Sequence, residues 1–146
     1  MTRKSLDNWS GATTSSPEET RKAGAAFVER LKPGDVIALH GSLGSGKTTF
    51  VQGMVRGLGL GEQVSSPTFA LIHEYGYPPQ FFHVDCYRET SAERWKQIGL
   101  SEYFDREAIS AIEWAIHVES LLPERTYHLT FLPGEGDHER VIEIKR

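Results

Sequence analysis

Cysteine is nearly absent from this chain: Cys86 is the only one in 146 residues, so no intramolecular disulfide can form. A lone thiol outside any cluster of charges is expected to pack, not to act as a nucleophile. Excess positive charge is also lacking. Sixteen Lys and Arg stand against twenty Asp and Glu, a net charge of -4, which gives no support for a strongly basic nucleic-acid-binding face. If RNA or DNA is involved, a partner is expected to hold it. No apolar run reaches membrane length and no signal-peptide core is evident, so a cytoplasmic protein without membrane contact is expected. No internal repeat, low-complexity segment or arginine cluster is present. The length predicts one domain over 1–146, ample for a core but too small for a nucleotide fold plus an elaborate substrate domain.

Against those absences stands one dense motif, His40-Gly41-Ser42-Leu43-Gly44-Ser45-Gly46-Lys47-Thr48-Thr49. Gly41, Gly44 and Gly46 let a backbone wrap closely around phosphate oxygens, with the amides of Gly44, Ser45, Gly46, Lys47, Thr48 and Thr49 as donors. Lys47 is placed to reach the outer phosphates, and the Thr48 hydroxyl to ligate the Mg2+ that bridges them. The amides at a helix start add partial positive charge where the anion sits. The flanks agree with this reading. Val36-Ile37-Ala38-Leu39 suits a buried parallel strand, and Phe50, Val51, Met54, Val55 and Leu58 recur at helical spacing up to Gly57 and Gly59.

The remaining chain predicts elements that frame this loop. The first dozen residues read as an arm or a poorly formed edge strand. Ser16-Pro17-Glu18-Glu19 starts a helix expected to run to about Leu31, burying Ala23, Ala26, Phe27 and Leu31. A hydroxyl-rich loop, Gln63 to Phe69, precedes a hairpin of Ala70–Tyr75 and Phe81–Asp85. Thr90-Ser91-Ala92-Glu93 is a capping box for a short helix to about Gln97, and Ser101–Arg106 reads as a helical turn. Ala108–Ile112 is an apolar strand ending at Glu113-Trp114, expected parallel and adjacent to the phosphate-loop strand. Tyr127–Leu132 and Arg140–Ile144 suggest a terminal hairpin. The fold class is therefore a three-layer α/β P-loop domain, its sheet mainly parallel with antiparallel edge strands.

Several side chains are candidates for the chemistry. Glu113, an acid at the end of a buried strand, suits a magnesium ligand or a residue that orients water. Asp85 competes for the second role, or else starts a turn or pairs with Arg88. Thr68 either senses a terminal phosphate through Mg2+ or simply begins a strand after proline. His83 has no second His or Cys at ligand spacing and reads as stacked or hydrogen-bonded. Arg88 pairs with phosphate or is merely exposed. Trp114 is a core plug or a wall shielding the nucleotide.

Taken together, the phosphate loop, Ser66-Pro67-Thr68-Phe69, His83-Val84-Asp85-Cys86-Tyr87-Arg88, Ile98-Gly99-Leu100 with Glu102-Tyr103-Phe104, and Ile112-Glu113-Trp114 resemble the TsaE (YjeE) family. The resemblance spans about Ser15 to Pro123. Ser42 stands where that family often has an acid, and Cys86 where an aliphatic is usual. The resemblance implies a bacterial ATPase required for threonylcarbamoylation of adenosine 37 of tRNA, working with TsaD and TsaB and touching tRNA only through them. It further implies that Lys47 contacts the outer phosphates and that Thr48 and Glu113 hold Mg2+. Thr68, Asp85, His83, Arg88 and Trp114 are then motif residues around the ATP, with Ser16 near the adenine.

Hydrolysis is expected to be slow in the isolated protein, since no convincing arginine finger is present. Two rivals share the loop: a small-molecule or nucleoside kinase, and a nucleotide-gated interaction module that does not require hydrolysis. A guanine-specific switch is disfavoured because no Asn-Lys-x-Asp segment occurs.

Overall fold

The computed structural model describes residues 6–61 and 71–145. Along the chain these form β1 (Ala12–Thr14), α1 (Pro17–Val28), β2 (Val36–His40), α2 (Lys47–Gly57), β3 (Ile72–Tyr75), β4 (Phe81–Asp85), α3 (Ala92–Ile98), α4 (Leu100–Tyr103), β5 (Ile109–Glu113), β6 (Tyr127–Pro133) and β7 (Arg140–Lys145). Short 3-10 segments cover Leu6–Asn8 and Ala115–Leu121.

Among the described residues the strands make one seven-stranded sheet in the order β1-β7-β6-β2-β5-β4-β3. The four central strands are parallel: β2 lies between β5 and β6, and β4 pairs with β5. The edges are antiparallel, with β3 on β4, β7 on β6 and β1 on β7. This is the mixed α/β architecture expected, with the phosphate-loop strand at its centre.

Strand β2 shows why the sheet must be covered twice. Its residues alternate into two separate cores, Ile37 and Leu39 on one face, Val36 and Ala38 on the other. A strand buried on both faces loses its apolar residues from water only if helices lie above and below. On the first face α1 and α2 supply Phe27, Phe50 and Met54 against Leu129, Phe131 and Ala111. On the second, Trp95, Leu100, Phe104 and Val118 cover Val84 and Ile112. Full burial of each large side chain is worth about 1.5–3 kcal/mol.

Helix α1 starts as its sequence requires: Ser16 Oγ accepts the Glu19 amide at 3.1 Å, and Glu19 Oε1 accepts the Ser15 amide at 3.1 Å. It ends at Val28, short of the expected Leu31, because the Arg30 and Leu31 amides turn back to Phe27 and Val28 in a tighter final turn. Leu31 still enters the core, but Ala26 is exposed and Gly24 and Val28 are buried instead. The stripe is shifted because α1 meets α2 through glycine. A Cβ on Gly24 would lie 2.2 Å from the Phe50 carbonyl oxygen, and one on Gly53 only 2.0 Å from that of Arg21. Backbone touches backbone there, which fixes the start of α2 against the first turn of α1.

Other boundaries differ by one to three residues. The cap of α3 is Ser91, whose Oγ accepts the Arg94 amide at 3.2 Å, rather than Thr90. Helix α4 occupies Leu100–Tyr103, slightly earlier than the expected turn. The expected hydroxyl-rich loop and the first residue of the β3 strand at Ala70 lie outside the described residues. Among the described residues no helix is long and apolar enough to cross a membrane.

Candidate functional site

The site lies where β2, β5 and β4 end and α2 begins. Gly46 precedes α2 with φ +100, a left-handed conformation that glycine adopts without a Cβ penalty. Among the described residues no side chain caps α2, so its first amides suit an external acceptor. Within the loop, Ser45 Oγ is buried and has no hydrogen-bond partner among the described residues. A buried hydroxyl without a partner costs about 1–3 kcal/mol, which a bound oxyanion would relieve.

Lys47 is 4% exposed, although its carbon stem alone cannot account for burying an ammonium. Its Nζ donates to the Gly41 carbonyl at 2.6 Å and sits 3.8 Å from the centre of the Trp114 ring. Burial lowers its pKa from the ordinary lysine value, and the nearby charges of Glu113 and Asp85 pull it part of the way back. Trp114 holds a left-handed backbone, φ 58 and ψ 39, the one non-glycine positive φ among the described residues. For a bulky residue this conformation costs roughly 1–2 kcal/mol. The ring is retained there by Tyr87, 5.0 Å away, and by His117 stacked at 6.4 Å. His117 is in turn tied through Nδ1 to the Cys86 carbonyl at 2.7 Å.

Glu113 closes the other side. Sheet register sets it opposite Leu39 of β2 and Asp85 of β4. Thr48 Oγ1 is 3.0 Å from both carboxylate oxygens, and His83 Nε2 is 2.5 Å from Oε2. Burial by itself would raise the Glu113 pKa. The hydrogen bond and charge of His83, the Thr48 hydroxyl and the charge of Lys47 outweigh it, so the carboxyl is held below its ordinary value. An ionised carboxylate beside a hydroxyl is a donor pair suited to a hard divalent cation.

Asp85 is half-buried and its Oδ1 accepts the Tyr87 amide at 3.0 Å, the turn-starting role. Cys86 is buried behind it, and its thiol is pushed up to about 12, by burial first and then by Asp85. Arg88 is exposed. The Ser16 hydroxyl is engaged in capping α1. Thr68 lies outside the described residues.

A cavity of about 250 Å³ runs over the loop. Gly44, Ser45, Gly46, Lys47, Thr48 and Thr49 form its floor, and Glu113 and Trp114 one wall. The opposite wall is built by Pro17 and Thr20 of α1 together with His138 and Arg140. Of those four, only Pro17 belongs to a local motif, the start of α1. Arg140 in particular reaches the Gly44 carbonyl at 3.1 Å across 96 positions of sequence, a contact that no spacing rule could have found.

With this geometry in view, the comparisons with known proteins are specific. The family model "Threonylcarbamoyl adenosine biosynthesis protein TsaE" matches residues 14–142. The chain is 40% identical to the tRNA threonylcarbamoyladenosine biosynthesis protein TsaE of Bacillus subtilis over 131 residues, 88% of this chain and 80% of the relative. It is 39% identical to the protein of the same description from Treponema pallidum over 128 residues, 87% of this chain and 95% of the relative. The crystal structure of Bacillus subtilis YdiB superposes with a TM-score of 0.74 at 34% identity, covering 92% of this chain and 82% of that one.

Proposed function

The chain belongs to the TsaE family of tRNA threonylcarbamoyladenosine biosynthesis, and from that premise we propose that it is a Mg2+-dependent ATPase acting with TsaB and TsaD. The reading is supported most by one observation: Thr48 and Glu113 are already paired at 3.0 Å beside the buried Lys47, at the mouth of an uncapped helix.

The residues present fit ATP and Mg2+. The uncapped amides and the unpartnered Ser45 hydroxyl suit phosphate oxygens. Among the described residues no cluster of three or more His, Cys, Asp or Glu can hold a metal. Thr48 and Glu113 would instead supply part of the donor set for Mg2+. When bound, Mg2+ neutralises charge on the outer phosphates.

This chain's own residues do the rest. The loop amides hold the phosphates in one orientation. Lys47 exchanges the Gly41 carbonyl for an outer phosphate oxygen, and the Trp114 ring excludes water from that ammonium. The Thr48 hydroxyl donates a hydrogen bond to the Glu113 carboxylate, which leaves its oxygen lone pairs for a cation. His83 keeps the Glu113 carboxylate oriented. Because Glu113 is given to the cation and to His83, while among the described residues only Oδ1 of Asp85 accepts a hydrogen bond, the Asp85 Oδ2 oxygen is assigned to orient the attacking water. Arg88 is exposed and available to a partner complex. In this reading the protein acts in the cytoplasm and meets tRNA only through TsaB and TsaD.

The test is ATP hydrolysis with and without the cognate TsaB–TsaD pair and tRNA. Slow turnover alone and stimulation by the complex are expected. Absence of stimulation removes the partnership. Phosphate appearing on an organic acceptor rather than water replaces the ATPase with a kinase. Full tRNA modification by a verified non-hydrolysing Glu113→Gln variant leaves a nucleotide-gated module.

A further inference from the structure

We propose that Arg140 is a positioning residue for the nucleotide, bracing the phosphate loop and flanking the nucleoside end of ATP. This deepens the ATP reading and rests on it.

Arg140 opens β7, the strand after the turn that follows β6. Its Nη1 donates to the carbonyls of Asp137 at 3.1 Å and Glu139 at 2.8 Å, and its Nη2 to that of Gly44 at 3.1 Å. Three backbone acceptors therefore fix the plane of the guanidinium. Five N–H donors are available on that group, so among the described residues two remain unspent. Arg140 makes no ion pair with a carboxylate among the described residues, although Glu135, Asp137 and Glu139 are its neighbours in sequence. A half-buried cation held by carbonyls, with donors to spare, is matched to an anionic or oxygen-rich ligand.

Its place in the cavity says which end of that ligand it meets. A Cβ on Gly46 would lie 3.7 Å from Arg140 Cγ and 3.7 Å from Thr20 Cγ2, so the arginine stem crosses the last loop glycine toward α1. Glu113 and Trp114 lie on the β5 side of β2, whereas Arg140 comes from the β7 side. With the outer phosphates and cation at the Thr48–Glu113 wall, the ribose and its adjoining phosphate fall to the Arg140 wall. The Gly44 contact also ties the β6–β7 hairpin to the crest of the loop, so moving the hairpin alters the bound nucleotide.

Calorimetric titration of the full chain with Mg2+ and ATP, ADP or inorganic tripolyphosphate tests this, using wild type, Arg140→Ala and Arg140→Lys. Arg140→Ala is expected to weaken ATP and ADP roughly tenfold and tripolyphosphate much less, the loss of a charged hydrogen bond to the nucleoside end. In hydrolysis assays its KM for ATP rises by a similar factor while kcat falls less than about threefold. Arg140→Lys, which keeps the charge but not the fork, falls between. Thermal melting without nucleotide guards against misfolding, since Arg140→Lys keeps the stem packed over Gly46. Equal binding of all three ligands by wild type and Arg140→Ala overturns the inference and leaves the ATP reading standing. An equal loss for tripolyphosphate overturns the placement at the nucleoside end. Failure of the wild type to bind ATP overturns both.

Discussion

Replacing Gly53 with alanine sets two large effects against each other at the joint that positions α2. In an isolated helix the change is favourable by about 1 kcal/mol, since alanine removes glycine's backbone entropy. Here the new methyl would sit 2.0 Å from the Arg21 carbonyl oxygen and 2.7 Å from its carbon. Real Cβ atoms essentially never approach closer than 3.0 Å, so α1 and α2 must part by at least about 1 Å (3.0 − 2.0). The obstacle is backbone, which has no rotamer to escape into. Parting loosens the packing of Phe27, Phe50 and Met54 between the helices and the sheet. Overpacking of this kind costs about 1–3 kcal/mol when side chains can adjust, and more when they cannot, so a net destabilisation of about 2 kcal/mol is expected. For a chain of this size that lowers Tm by roughly 4–8 °C. Urea denaturation followed by circular dichroism should show a lower midpoint at unchanged slope. Gly61→Ala, where a Cβ would meet nothing within 4 Å among the described residues, serves as control and should stay within about 0.5 kcal/mol of wild type. Because α2 begins with Lys47 and Thr48, ATP affinity should fall together with stability. A Gly53→Ala protein as stable as wild type, or more so, would show that the two helix backbones are not in the close contact described.

Two further outcomes follow from the ionisation of buried groups. Cys86 is fully buried with its thiol pushed up to about 12, so Ellman's reagent at pH 8 should leave the native protein unlabelled and react promptly once guanidinium unfolds it; rapid native labelling contradicts the packing described. His40 is held below its ordinary value of 6.5 by burial, and then by His128, whose Nδ1 lies 2.9 Å from His40 Nε2. As pH falls through 6.5 the unfolded chain takes up this proton before the folded one, so stability present above that pH is lost below it. His73 shifts in the same direction. Tm should therefore drop between pH 7.5 and 5.5, and His40→Gln should flatten the drop; an unchanged slope removes His40 as a cause.

What could be read from sequence was whatever is local. The phosphate loop, its strand and its helix occupy adjacent positions, and the unbroken apolar run Val36 to Leu39 with the abrupt stop at Glu113 sufficed to place two parallel strands side by side. Turn chemistry located both hairpins. Thr90 and Ser91 both fit the cap preference of α3, and the fold selects Ser91, whose Oγ accepts the Arg94 amide. The partner of His83 could not be read, since Glu113 lies 30 positions away and is brought in by β4–β5 register. The pairing of β1 with β7, and Arg140 over the loop, depend on strands from opposite ends of the chain. The left-handed backbone of Trp114 has no sequence signal either, as bulky residues avoid that region unless their surroundings impose it.

The proposed function stands on Thr48 and Glu113 as the cation site beside the phosphate loop. Its most direct test is calorimetric titration of ATP, with Mg2+ and with excess EDTA, into wild type and Glu113→Gln. Glutamine keeps the shape and can still hydrogen-bond, but removes the charge that a divalent ion needs. Wild type should bind ATP at least about tenfold more tightly with Mg2+, and Glu113→Gln should lose most of that gain. The same Mg2+ dependence in both proteins would contradict the account.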